Sequence, residues 1–107
     1  MEVKPDKVLQ LVGMAQRAHY AAGGEFMTET MVKSKKASVV IIAEDASDNT
    51  KKHFFDMCRY YKVPCFVYGT KESLGHAIGK EMRASLSVTN EGLAKEIISK
   101  IDGGSKE

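Results

Sequence analysis

The stretch Ser38-Val39-Val40-Ile41-Ile42-Ala43-Glu44-Asp45-Ala46-Ser47 changes character halfway along. After Ser38 it is a short apolar, β-branched run without polar alternation, which predicts a strand covered on both faces. Glu44 to Ser47 then supplies helix N-cap residues, predicting a helix from about Ser47 to Tyr61. Phe54, Cys58 and Tyr61 share one face of that helix, with Phe55 beside them. A doubly covered strand feeding directly into a helix is the unit from which layered α/β folds are built.

Upstream, Val8, Leu11, Val12 and Ala15 follow helical spacing, with Pro5 or Asp6 suited to the first turn. Gly23-Gly24 interrupts the pattern, and Glu25 opens a second helix carrying Met27 and Met31 on one face. A carboxylate there complements the positive end of the helix. Downstream, Val63-Pro64 leads into a strand, Cys65 to Tyr68, closed by Gly69. Thr70 caps a short helix containing Leu74, Ala77 and Ile78, and Gly79 stops it. The loop Lys80-Glu81-Met82-Arg83 precedes a strand from Ser85 to Val88. Thr89 or Asn90 then caps a last helix facing inward through Ala94, Ile97, Ile98 and Ile101. Helices alternating with short strands predict an α/β/α sandwich on a small, mixed sheet. Residues 1–102 are expected to form one domain, with residues 103–107 as a flexible tail.

The whole chain has 107 residues, 16 Lys plus Arg against 14 Asp plus Glu, and 43% hydrophobic residues. That is enough apolar content for a packed core, and no run approaches the length of a membrane span. The first residues read as too polar for a secretory signal, so a cytoplasmic location is expected. The net charge of +2 is unevenly spread. Residues 33–83 hold ten basic and six acidic side chains, while the segments before and after each hold three basic and four acidic. Cys58 and Cys65, with six residues between them and no nearby histidine at finger-like spacing, do not make a zinc motif and read as small core residues.

There is no Gly-x-Gly-x-x-Gly and no Gly-Lys-Ser/Thr phosphate loop. His19, His53 and His76 stand apart without an acid–nucleophile pattern, so no catalytic residue, cofactor or metal is assigned. Glu44 and Asp45 follow a buried strand, where a receiver-like domain would hold Mg²⁺ and phosphate, but capping and turn formation account for them better. Two other segments suit an anion. Gly23-Gly24 offers free N–H groups at a helix start, and Lys80 and Arg83 lie on a loop. Should those segments converge at one end of the sandwich, they form a phosphate-binding rim.

Ser38 to Ser47, Tyr61-x-Val63-Pro64 and Thr70-Lys71-x-x-Leu74-Gly75-x-Ala77-x-Gly79 occur here in an order and spacing that resembles the ribosomal protein seven-Ae / thirty-e family of kink-turn RNA-binding proteins. Within it the chain is most similar to small bacterial YlxQ-type members, from about Val8 to Ile101. The resemblance implies a three-layer α/β/α fold with a mixed, roughly four-stranded sheet. It also implies a non-catalytic RNA-binding protein of the ribosome or its assembly, with RNA and ribosomal proteins as partners; nothing in the sequence demands a dimer, so a monomer is expected. Carried over by position, the RNA grip falls on Gly23, Gly24, Glu25 and Thr28 at the second helix start. Its other half is Lys80, Glu81, Met82 and Arg83 on the loop after Gly79. Lys33, Lys35, Lys36, Lys51 and Lys52 are candidate phosphate contacts. One departure matters. Phe26, Met27 and Thr30 occupy the positions where the family's kink-turn readers carry Asn, Glu and Lys, and neither Phe nor Met can hydrogen-bond a base edge. A protein-interaction module that kept the fold and uses Phe26 and Met27 as apolar anchors is the alternative.

Overall fold

The computed structural model describes residues 6–104, with side chains described as far as Asp102. Pro5 and the last three residues lie outside that range. The elements are α1 (Lys7–Arg17), β1 (Ala21–Gly23), α2 (Glu25–Lys33), β2 (Val39–Ile42), α3 (Asp48–Tyr61), β3 (Cys65–Val67), α4 (Lys71–Ala77), β4 (Ser85–Val88) and α5 (Glu91–Gly104). The last helix thus runs through two residues that sequence reading assigned to the tail.

The four strands form one sheet in the order β1-β4-β2-β3. β2 and β3 are parallel, whereas β4 is antiparallel to both of its neighbours. The helices α2 and α3 pack together against the sheet, and α1 packs with α4 and α5 in the other layer. Every residue of β2 and β4 is buried, as two covered faces require. The short β1 was not foreseen. Ala21-Ala22-Gly23 has no β-branched or aromatic residue, and only pairing with β4 makes it a strand.

Caps set the helix starts. Asp6 Oδ1 accepts from Leu9 N–H at 3.0 Å to begin α1, Ser47 begins α3, and Asn90 Oδ1 accepts from Leu93 N–H at 2.8 Å in α5. Thr70 and Ser73 form a reciprocal capping box on α4. In α3 the core face holds Phe54, Met57 and Cys58 with Tyr61 packed at its edge, while Phe55, expected beside that face, is exposed. Both cysteines are free, Cys58 buried and Cys65 half-buried.

Two contacts hold the α4 region in place. Tyr68, just past β3, donates its hydroxyl to Asp6 Oδ2 at 2.7 Å, joining the α1 cap to the sheet. The chain leaving α4 then doubles back over that helix at Gly75. A Cβ on Gly75 would lie 1.8 Å from the carbonyl oxygen of Glu81. Gly75→Ala is therefore expected to cost about 1–3 kcal/mol, since backbone must move to admit the methyl; urea unfolding measures it. Burial, then the bond to Asp6, pushes the Tyr68 phenol up to about 12 from 10.0. Its contribution to stability is thus present in full below the unfolded value and lost as pH rises through the folded one. Alkaline titration followed by phenolate absorbance should show a late component that Tyr68→Phe abolishes.

Candidate RNA-binding surface

Strand register places the candidate residues. Gly23 lies opposite Leu86 and Ile42 opposite Ser85, so β1 and β2 end where β4 begins. The parallel β3 ends there too. The starts of α2, α3 and α4 and the loop entering β4 therefore gather at one end of the sheet.

Gly24 is the N-cap of α2 with φ of 98°, a conformation that L side chains rarely adopt. Its N–H donates to Ser85 O at 2.9 Å, and no side chain caps the helix. From the loop, Arg83 folds back across this turn. Its Cγ lies 3.5 Å from where a Cβ would stand on Gly23, and its Cδ and Nε lie 3.8 Å from the same point on Gly24. Arg83 N–H donates to Lys71 O, and its guanidinium donates to Met82 O at 2.9 Å. The two segments singled out separately in sequence are thus one surface, bridged by Arg83. Lys80, Glu81 and Met82 are all exposed on it.

Thr28 is a correction. It is 0% exposed, and its Oγ1 accepts from Ser85 Oγ at 3.3 Å beneath the helix. Thr28 and Val32, four residues apart, form the buried edge of α2, so Thr28 anchors the helix and has no side-chain surface for a ligand. Phe26 faces the other way and is 76% exposed, with Met27 partly exposed beside it and Met82 exposed on the loop. The site surface is thus more apolar than its charge suggests.

The five candidate lysines separate. Lys51 and Lys52 lie early in α3, at the site end, with Lys52 paired to Asp56 at 2.8 Å. Lys33, Lys35 and Lys36 sit at the far end of α2, and Lys33 lies 3.7 Å from Glu29. Between the helices, His53 holds Glu29, and that bond, reinforced by Lys33, keeps the Glu29 carboxyl below the usual range. Glu25, Glu29 and His53 are the one group of three metal-type ligands found among the described residues, with their atoms within 4.8 Å of one another. Asp45 is engaged elsewhere, its Oδ1 accepting from Lys71 N–H at 2.8 Å. Glu44 and Asp45 therefore act at a turn and a helix start, which leaves the receiver-like reading without a third ligand among the described residues.

No described helix is long and apolar enough to cross a membrane. The family model for the Ribosomal protein L7Ae/L30e/S12e/Gadd45 family matches residues 6–98. The RNA-binding protein YlxQ of Bacillus subtilis (strain 168) is 40% identical over 92 residues, 86% of this chain and 92% of that protein. The protein of the same name from Enterococcus faecium is 37% identical over 97 residues, 91% and 93% of the two chains. Among solved structures, a Bacillus halodurans C protein of unknown function superimposes with a TM-score of 0.88 at 35% identity, covering 92% of this chain and 99% of that one. A Giardia lamblia 15.5kD RNA binding protein superimposes at 0.77 with 24% identity, covering 96% and 94%, a likeness of fold. The chain belongs to the Ribosomal protein L7Ae/L30e/S12e/Gadd45 family.

Proposed function

We propose that this chain is a non-catalytic, cytoplasmic RNA-binding protein that acts as a monomer on ribosomal or ribosome-associated RNA. It grips structured RNA with the start of α2 and the loop after Gly79. The observation that carries this reading is Arg83 lying across Gly23 and Gly24, which makes the two segments one surface. Uncapped N–H groups of α2 and the cations Lys80 and Arg83 donate to phosphate oxygens. The curated relatives bear the name of RNA-binding proteins, which supports the same class.

Glu25 and Glu81 are exposed beside Lys80 and Arg83, so net attraction at this end is weak. Orientation of donors and shape therefore select the ligand. Phe26 replaces a base-edge reader with an aromatic face, suited to stacking on an unpaired base. A second reading, a protein-docking module, is favoured by the same exposed Phe26, Met27 and Met82.

Titration against ribosomal RNA fragments, a standard kink-turn and an unrelated hairpin at several salt concentrations tests the reading. Affinity should fall with salt by the slope of a few phosphate contacts, and Arg83→Ala should weaken binding by about 1 kcal/mol or more. Phe26→Leu should cost about 1–3 kcal/mol, with Phe26→Tyr restoring most of it, because stacking needs an aromatic face. Tight salt-sensitive binding that ignores both residues would refute the site. Absence of any RNA binding, with capture of a protein lost on Phe26→Ala, would favour the docking module.

A further inference from the structure

Beyond the surface bridged by Arg83, a second cleft of about 510 Å³ opens between the end of α1 and the end of α4. It is lined by Arg17, His19, His76 and Lys80 together with Gly13, Gln16 and the turn Ala77–Gly79, with no carboxylate among them. Arg17, His19, His76 and Lys80 are exposed, and none belongs to an ion pair among the described residues. Gly13 forms part of the wall. A Cβ there would lie 3.6 Å from Arg17 Nη1 and 3.5 Å from Ala77 O, so the guanidinium rests over the glycine instead of reaching away into solvent.

Two helix C-termini face this region, and their carbonyl ends oppose an anion. Most of that opposition is already answered within the backbone. Ile78 and Lys80 N–H groups both donate to Gly75 O, Gly79 N–H donates to His76 O, and Ala18 and His19 N–H groups cover Met14 O and Gln16 O. Each helix end amounts to roughly half a negative charge before such capping, against the full charges of Arg17 and Lys80. The cleft is therefore positive on balance. Lys80 belongs both to it and to the loop of the proposed RNA surface, so the two are continuous.

We infer that this cleft holds the phosphodiester backbone of the same RNA as it runs on from the loop, with Arg17 and Lys80 on phosphate oxygens and His19 and His76 as further donors. The inference rests on the RNA-binding reading above and adds a second stretch of contact, on α1 and α4, to it. Charge complementarity and continuity through Lys80 select an RNA backbone as the occupant.

The test uses the full chain with ribosomal RNA fragments, comparing Arg17→Gln, His76→Gln and their double variant with Arg83→Ala across a salt series. Arg17→Gln should reduce affinity about five- to tenfold and lower the slope of log affinity against log salt by about one, the signature of one lost phosphate contact. Normal affinity and slope in both single variants and the double, with Arg83→Ala still weakening binding, would overturn the inference and leave the RNA-binding reading standing. Failure of every fragment to bind would overturn both. Inorganic phosphate supplies the remaining arm, followed through the ring-proton resonances of His19 and His76. If these respond to phosphate in the wild type while the double variant binds RNA normally, the cleft is a small-anion site and the RNA assignment is wrong.

Discussion

When β4 enters the sheet antiparallel to both β1 and β2, the chain leaving α4 must first travel back to the end where those strands finish. That return is short, and it passes so close over α4 that Gly75 can carry a methyl group only if backbone moves. The same pairing sets Ser85 beneath Thr28 and gives its carbonyl to the Gly24 N–H. Arg83, the last loop residue but one before β4, is thereby delivered onto the turn that begins α2. The proposed binding surface is thus a consequence of strand order. Its two halves lie nearly sixty residues apart in the chain, and neither would be positioned without the antiparallel insertion of β4.

Charge illustrates how a fold rearranges what a sequence window adds together. Residues 33–83 hold the chain's basic excess, but α2 and α3 both lead away from the proposed site. The nine residues of α2 span about 13 Å at the usual rise, which separates Lys33, Lys35 and Lys36 from Gly24. At the site itself Glu25 and Glu81 stand beside Lys80 and Arg83. Arg17, which sequence windows assigned to a net acidic segment, instead joins Lys80 at the α1–α4 cleft. A binding surface of this kind depends less on total charge than on where a few unpaired cations and uncapped N–H groups point.

Much of the architecture was legible because its signals are local. The β2 run, the caps at Ser47, Thr70 and Asn90, and the helical spacing of α1 and α5 each depend on neighbours within a few positions. β1 was not legible, since Ala21-Ala22-Gly23 has no strand propensity and is extended only because β4 lies beside it. Thr28 was misplaced for a related reason. A threonine near a helix start reads as polar surface until the register of α2 against β4 turns it inward. Met57, which the helical pattern left unassigned, is buried while Phe55 is exposed, because the core face of a helix is defined by what packs against it.

The sequence alone determined the layered α/β class, the family resemblance and the replacement of base-reading side chains by Phe26, Met27 and Thr30, all of which are matters of residue identity and spacing. Only the tertiary structure decided that Gly23-Gly24 and the loop after Gly79 meet, that Thr28 is buried, and that Phe26 is exposed. It alone also brought Arg17 and Lys80 to one cleft. Those outcomes depend on strand order and helix register, which are set by the free energy of burying the whole core and by the close approach that Gly75 permits.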